Sequence, residues 1–242
     1  MEHESPTFSP LYRQTKSLMM QALASGEWHP GQAIPSEQEL AHRFLVSQGT
    51  VRKAIDEMVA ENLLLRRQGK GTFVSSHADP CSINRFMRLA SAARVIVPPE
   101  GEALDCQHAR AGQDAARELS IEPGSPVIIV RRVLRLEGRP VAVDDITLPG
   151  DLFPGLNLDV LRGWQGSIYC LFESRFDLTM LHAREKIRAV LADSAVAETL
   201  GIDEGSPLLS VERVAFTYGE RPVELRRGLY LTTDYHYQNE LN

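Results

Sequence analysis

The chain has 242 residues, 43% of them hydrophobic, and a formal net charge of −6. That length suits one large or two modest domains with ordinary cores, and no run of about 18 apolar residues is present to cross a membrane as a helix. The charge is uneven: residues 1–75 hold eight Lys/Arg against eight Asp/Glu and the stretch 43–75 holds six against three, a basic edge in an acidic chain, as expected of a nucleic-acid module joined to a sensing module.

The N-terminal MEHESPTFSP is acidic and polar, unlike a signal or transit peptide. Cys81, Cys106 and Cys170 are odd in number and far apart, which predicts a reducing cytoplasm, no disulfide and no metal site. Residues 11–24 carry apolar Leu11, Leu18, Met19, Ala22 and Leu23 at helical spacing, with Gly26 as a stop. Pro35-Ser36 opens a second helix, in which Ser36 with Glu39 forms a capping box. After Leu45-Val46, Ser47 caps a third helix with Val51, Ile55, Met58 and Val59 on one stripe. Its other face, Gln48, Thr50, Arg52 and Lys53, is polar, as the leading end of a recognition helix requires in a major groove. Leu63 to Val74 reads as strand, basic turn, strand, with Arg66, Arg67, Gly69, Lys70, Gly71 and Thr72 at the turn. Its cations neutralise phosphates, and Gly71 marks a positive φ or a close approach.

This stretch resembles the GntR family of bacterial transcription regulators. The resemblance rests on Leu11-Tyr12, Gly31, Ile34-Pro35-Ser36-Glu37, Glu39-Leu40-Ala41, Val46-Ser47, Thr50-Val51-Arg52, Ala54 and Gln68 to Val74. It implies a winged helix-turn-helix over 8–75, with Ser36, Gln38, Ser47, Gln48, Thr50, Arg52, Lys53, Arg66, Lys70, Gly71 and Thr72 at DNA. Gln48 is expected on a base, best an adenine; Ser47 and Thr50 on phosphates; Arg52 on either. The family commonly carries arginine where this chain has Gln38 and Gln48, which points to an altered operator.

Residues 76–80 lack large apolar side chains and end in Pro80, the expected linker. Beyond it, 116–141 and 197–223 repeat one order of helix, Gly-Ser-Pro turn, strand and Gly-containing hairpin, offset by 81 residues and then by 82 after the hairpin. Two copies predict related halves of one antiparallel sheet carrying helices, an α+β domain over 81–242. Ser167 to Glu173 reads as a helix between the copies. Single His residues such as His77 have no metal spacing and read as structural or exposed, and Arg226-Arg227 reads as surface charge.

The order Gly124-Ser125-Pro126, Arg132, Pro140-Val141, Leu148-Pro149, Ser167-Ile168-Tyr169, Gly205-Ser206-Pro207, Arg213, Pro222-Val223-Glu224 and Tyr230 resembles the UTRA domain of the HutC subfamily, whose fold is similar to that of chorismate lyase. The resemblance implies a small-molecule effector at Arg85, Phe86, Arg132, Asp144, Ser167, Tyr169, Glu224 and Tyr230. An arginine with hydroxyls suits an anion such as an amino-sugar phosphate or urocanate, and the two carboxylates suit hydroxyls or an amine. No catalytic residue and no cofactor is expected. The function implied is an effector-controlled regulator, most often a repressor, acting as a homodimer on palindromic double-stranded DNA in the bacterial cytoplasm, away from any membrane. The alternatives are a chorismate-lyase-like enzyme, for which Arg132 with Glu224 is the candidate constellation, and a ligand-free nucleoid-type binder.

Overall fold

A computed structural model of the chain describes residues 9–78, 86, 88–91 and 99–238. The chain divides into two compact units, Met1–Ser76 and His77–Asn242.

In the first unit, α1 spans Leu11–Ala24, α2 Glu37–Phe44 and α3 Gln48–Ala60. Ser36 and Glu39 close the capping box in both directions. Ser47 Oγ accepts the Thr50 N–H and starts α3. The apolar stripe of α3 is part of the core: Val51, Ala54 and Met58 are fully buried, as are Met19 of α1 and Leu40 of α2. Burial of each such large side chain contributes about 1.5–3 kcal/mol. Antiparallel β1 (Leu64–Arg67) and β2 (Gly71–Val74) form the wing. The chain at 31–34 adds to it, with Gly31 N–H on Val74 O and Ile34 N–H on Thr72 O.

The second unit is built on one antiparallel sheet of β4 (Glu100–Arg110), β5 (Pro126–Leu136), β6 (Arg139–Pro149), β9 (Arg221–Leu231), β8 (Pro207–Thr217) and β7 (His182–Leu191), in that spatial order. A short ribbon pairs β3 (Leu89–Ser91) with β10 (Tyr235–Tyr237). The sequence repeat becomes a pseudo-two-fold. Strand, helix, strand, strand occurs twice, with α4 (Gln113–Leu119) in the first half and α7 (Ser194–Leu200) in the second. The returning strands β6 and β9 meet at the centre, where Asp145 faces Arg227. Both halves also bulge at the same place, beside buried Val141 and Val223.

Because side chains alternate along a strand, the sheet has two different faces. On one, α4 packs Leu119 against Val214, Phe216 and Leu225, and α7 packs Val196, Ala197 and Leu200 against Val143 and Leu208. On the other, α5 (Leu158–Arg162) and α6 (Ile168–Phe176) cover one end around Phe153, Leu156, Leu171 and Phe172. The β3/β10 ribbon covers the opposite end with Leu89 beside Leu134, Val211 and Tyr230. A cavity lies on this second face.

The expected linker is placed differently from its sequence reading. Ser76 and His77 are buried, and the Ser75 N–H is held by Leu63 O. Polar composition marks a solvated linker only when no partner takes the polar groups, and here partners take them. Pro80, Cys81 and Arg85 lie outside the described residues.

Candidate nucleic-acid interface and ligand cavity

On the first unit, Gln38, Ser47, Gln48, Arg52, Lys53, Arg66, Lys70 and Gly71 are exposed. The helix pair and the wing turn gather them: Ser47, Gln48 and Thr50 at the start of α3, Arg52 one turn on, Arg66 on β1, Lys70 between the strands. Gly71 has φ +106°, which meets the positive-φ reading, and nothing stands within 4 Å of a would-be Cβ. Ser47 and Thr50 join their hydroxyls at 2.8 Å, while Ser36 Oγ donates to Glu39; the Ser36 side chain serves its helix cap. Lys53 Nζ sits 4.0 Å from the centre of the Tyr12 ring, a cation–π contact that draws it toward α1. Glu37, which sequence reasoning did not assign to the interface, accepts from Gln48, Arg52 and Arg66.

The cavity of the second unit measures about 850 Å³ including its mouth, and His77, Phe86, Arg132, Trp164, Ser167, Tyr169, Arg213 and Arg226 are among its lining residues. Arg132 of β5 lies opposite Asp144 of β6 and donates Nε and Nη2 to Asp144 Oδ2 at 3.0 and 2.8 Å. In the other half the equivalent cross-strand pair is Arg213 and Arg226. Each of those like charges has a carboxylate partner of its own: Arg226 forks onto Glu224 at 2.9 and 3.0 Å, and Arg213 pairs with Glu185 at 2.6 Å. Tyr169 donates its hydroxyl to Glu224 and Tyr230 donates to Asp144.

Burial by itself would push the Asp144 carboxyl up, but the charges of Arg132 and Arg226 outweigh it and hold the group below the usual carboxylate range. Burial and the Glu224 charge push the Tyr169 phenol up. Burial lowers the tendency of Arg226 to stay charged, yet Glu224, Tyr169 and Asp144 more than compensate and its guanidinium is held well above its ordinary value.

Asp144 and Glu224 are fully buried behind the arginines, with Tyr230 behind them on Asp144. None of the three lines the cavity. The expectation that these carboxylates meet ligand hydroxyls or an amine is therefore corrected: their oxygens are committed to guanidinium and phenol donors. The cavity is lined by Arg132 and Arg226 instead; Arg226 has Nε and Nη2 on Glu224 and Nη1 3.5 Å from Asp144. Arg132 Nη1, not engaged by Asp144, reaches to 3.4 Å from where a Cβ on Gly101 would stand. Ser167 caps α6 by accepting the Cys170 N–H and lines the cavity beside the first turn of that helix, whose N–H groups favour an anion. Phe86 and Tyr169 meet edge to face at 5.0 Å and form an aromatic wall.

Sequence reasoning missed His77, Trp164 and Arg213 as lining residues, and it read Arg226 as surface charge. Arg226 is 6% exposed. The parity of β9 carried the signal: Glu224, Arg226, Gly228 and Tyr230 share one face, and Arg227 takes the other. His77 is buried; its Nε2 accepts the Met180 N–H, and its own N–H donates to Glu173. Gly228 is dictated by its neighbours, since a Cβ there would stand 2.4 Å from the Tyr230 ring and 2.6 Å from Asp144 Oδ1. Among the described residues no group of His, Cys, Asp and Glu is arranged to hold a metal, and no helix is long and apolar enough to cross a membrane.

Comparison with known proteins separates the same two parts. Residues 97–236 match the UTRA domain, and residues 11–74 match the model of bacterial regulatory proteins of the gntR family. The transcriptional regulator GmuR of Bacillus subtilis is 32% identical over 76% of this chain and 78% of its own. The mannosyl-D-glycerate transport/metabolism system repressor MngR of Escherichia coli is 28% identical over 93% of each. The crystal structure of a ligand-binding domain assigned to a GntR-family regulator of Bordetella bronchiseptica is 45% identical, covers 65% of this chain and 98% of that one, and superposes with a TM-score of 0.62.

Proposed function

The chain belongs to the GntR family of bacterial transcription regulators and carries a UTRA domain, and from that premise we propose that it is a HutC-type repressor whose second unit takes a small anionic effector in the cavity of Arg132 and Arg226. It is a DNA-binding regulator and not an enzyme, as its relatives are. The observation that carries the effector class is the arrangement of charge. The carboxylates that neutralise Arg132 and Arg226 are walled off behind them, so a ligand meets N–H donors, the first turn of α6 and an aromatic wall. A sugar acid or sugar phosphate suits that lining, its anion on the guanidiniums and its ring on Phe86 and Tyr169. The name of MngR ties that relative to mannosyl-D-glycerate, a glycoside with a carboxylate.

The regulator acts as a homodimer, because a palindromic operator needs two reading heads. Ser47, Gln48, Thr50 and Arg52 enter the major groove, and Arg66, Lys70 and the Gly71-Thr72 turn follow the backbone. Effector binds one arrangement of the heads better than the other and thereby changes operator affinity. His77, the first residue of the second unit, lines the cavity, so ligand contact is transmitted directly to the chain that leads to the DNA-reading unit. The site of action is the bacterial cytoplasm.

The test is a thermal-shift screen of the full chain with sugar phosphates, sugar acids and urocanate, each beside its neutral parent. A ligand at 100 times its Kd stabilises by about 2.7 kcal/mol. Anionic hits that also change operator affinity are expected. Stabilisation by the neutral parents alone would overturn the anionic assignment.

A further inference from the structure

Glu37 is the first residue of α2, and it gathers the basic and amide groups expected at DNA. Its Oε2 accepts Arg52 Nε at 2.9 Å and Arg52 Nη2 at 2.8 Å, and Gln48 Nε2 at 3.3 Å. Its Oε1 faces Arg66 Nη2 at 3.4 Å, which in turn reaches Asp56 at 2.8 Å. The Glu37 side chain is 24% exposed, whereas Arg52 is 56% and Arg66 44% exposed. The carboxylate therefore sits behind the groups it holds.

A carboxylate beside a DNA-reading edge repels phosphate, so as a contact it works against binding. Its chemistry fits a different task. Arg52 commits Nε and one side of Nη2 to Glu37, which leaves the Nη1/Nη2 end of the fork to other partners on a side chain that is 56% exposed. That end is the one that pairs with O6 and N7 of a guanine, and a planar guanidinium pinned on one edge cannot rotate away from this pose. The same oxygen holds the amide of Gln48, one turn earlier on α3. Arg52 also keeps the Glu37 carboxyl below its usual range, so the clamp is charged at neutral pH.

We propose that Glu37 is the positioning residue for base reading. It fixes the Arg52 fork on one guanine in each half-site and orients Gln48 beside it, giving selectivity at the cost of overall affinity. This rests on the assignment of the helix pair and wing to DNA.

The experiment uses the full chain. Binding sites are selected from random duplex DNA with wild type, E37Q, R52K and R52A, and affinity for the selected and a scrambled duplex is measured at two salt concentrations. The wild-type chain selects a guanine at one position per half-site. E37Q loses that preference by roughly tenfold while positions read by neither Arg52 nor Gln48 persist, and it binds scrambled DNA as well as or better than wild type. R52K retains the charge but not the fork, and it loses the same position. Adding E37Q to R52A changes the preference at the guanine no further. An unaltered preference in E37Q, a uniform loss at all positions, or an R52A that still selects the guanine would each overturn the proposal. Equal melting temperatures of E37Q and wild type exclude a folding defect, and R52K tests the fork independently. If the wild-type chain selects no site at all, the assignment of this unit to DNA fails and the clamp fails with it.

Discussion

The second unit confines several buried charges to one sheet face, and single residues decide whether that arrangement is stable. Asp144 neutralises Arg132 and sits within 3.5 Å of Arg226. A buried pair contributes little net stability, yet removing one partner leaves an uncompensated charge that costs about 3–5 kcal/mol. The same logic sets the response to acid. The Asp144 carboxyl is held below its unfolded value, near about 3.9. Its contribution is therefore present above that value and lost as pH falls through the folded one. Urea denaturation followed by tryptophan fluorescence should show stability dropping steeply below about pH 4; a flat profile from pH 5 to 3 would refute this. Gly228 is the second such residue. Gly228→Ala forces a Cβ onto the Tyr230 ring and the Asp144 carboxylate, and a loss of about 1–3 kcal/mol is expected in the same assay. An unchanged midpoint would show that the two side chains move aside freely.

At the scale of elements, the helix-turn-helix shows how caps and turns set a reading surface. Ser36 and Ser47 each close a helix start with their own hydroxyls, so the angle between α2 and α3 is fixed by local hydrogen bonds as well as by the core. The turn between them passes through Leu45 at φ 54°, ψ 44°, with the side chain 89% exposed. A β-carbon in that left-handed region costs about 1–2 kcal/mol, and asparagine tolerates it better. Leu45→Asn gives up almost no burial, so thermal unfolding should show a gain of up to about 1 kcal/mol. A loss would mean that the leucine packs in the free protein. In the second unit Ser167 has two tasks, since it caps α6 and lines the cavity. Its Ala variant therefore mixes helix stability with ligand affinity, a reason to test the effector with a panel of compounds as well as with substitutions.

Across the whole molecule, the acidic net charge and the basic reading edge coexist because they belong to different units. Operator binding should then follow the local charge. Lys70, exposed at the wing turn, is assigned to a phosphate. Lys70→Ala should weaken binding to all sequences alike and reduce the log–log salt slope by about 1 for each phosphate no longer neutralised. Fluorescence anisotropy at several salt concentrations measures this, and a change in base preference without a change in slope would reassign Lys70 to a base. The pseudo-two-fold of the second unit shows how one duplicated plan yields an asymmetric site. Arg132 facing Asp144 and Arg213 facing Arg226 occupy equivalent positions, and the exchange of aspartate for arginine leaves one half with a self-neutralising pair and the other with two arginines that draw on Glu185 and Glu224.

Local signals were enough to read the elements and their order from the sequence. Capping residues, the 3.6-residue stripe of α3, the glycines of the wing and the repeat with its 81-residue offset each depend on neighbours close in the chain, so the α+β class and the two-part plan followed from sequence. Arg132, Ser167 and Tyr169, named through the family pattern, line the cavity. Tertiary structure alone decided which charges line the cavity and which are buried against each other. Asp144, Glu224 and Arg226 look alike as alternating polar residues on strands, and only the cover of α5, α6 and the ribbon turns their face inward. His77 read as linker because its partners, Met180 and Glu173, lie about a hundred residues away. Glu37 likewise read as a helix start, because Arg52 and Arg66 reach it through folding rather than through spacing. Burial and long-range pairing depend on what covers a residue, and a sequence window does not contain the cover.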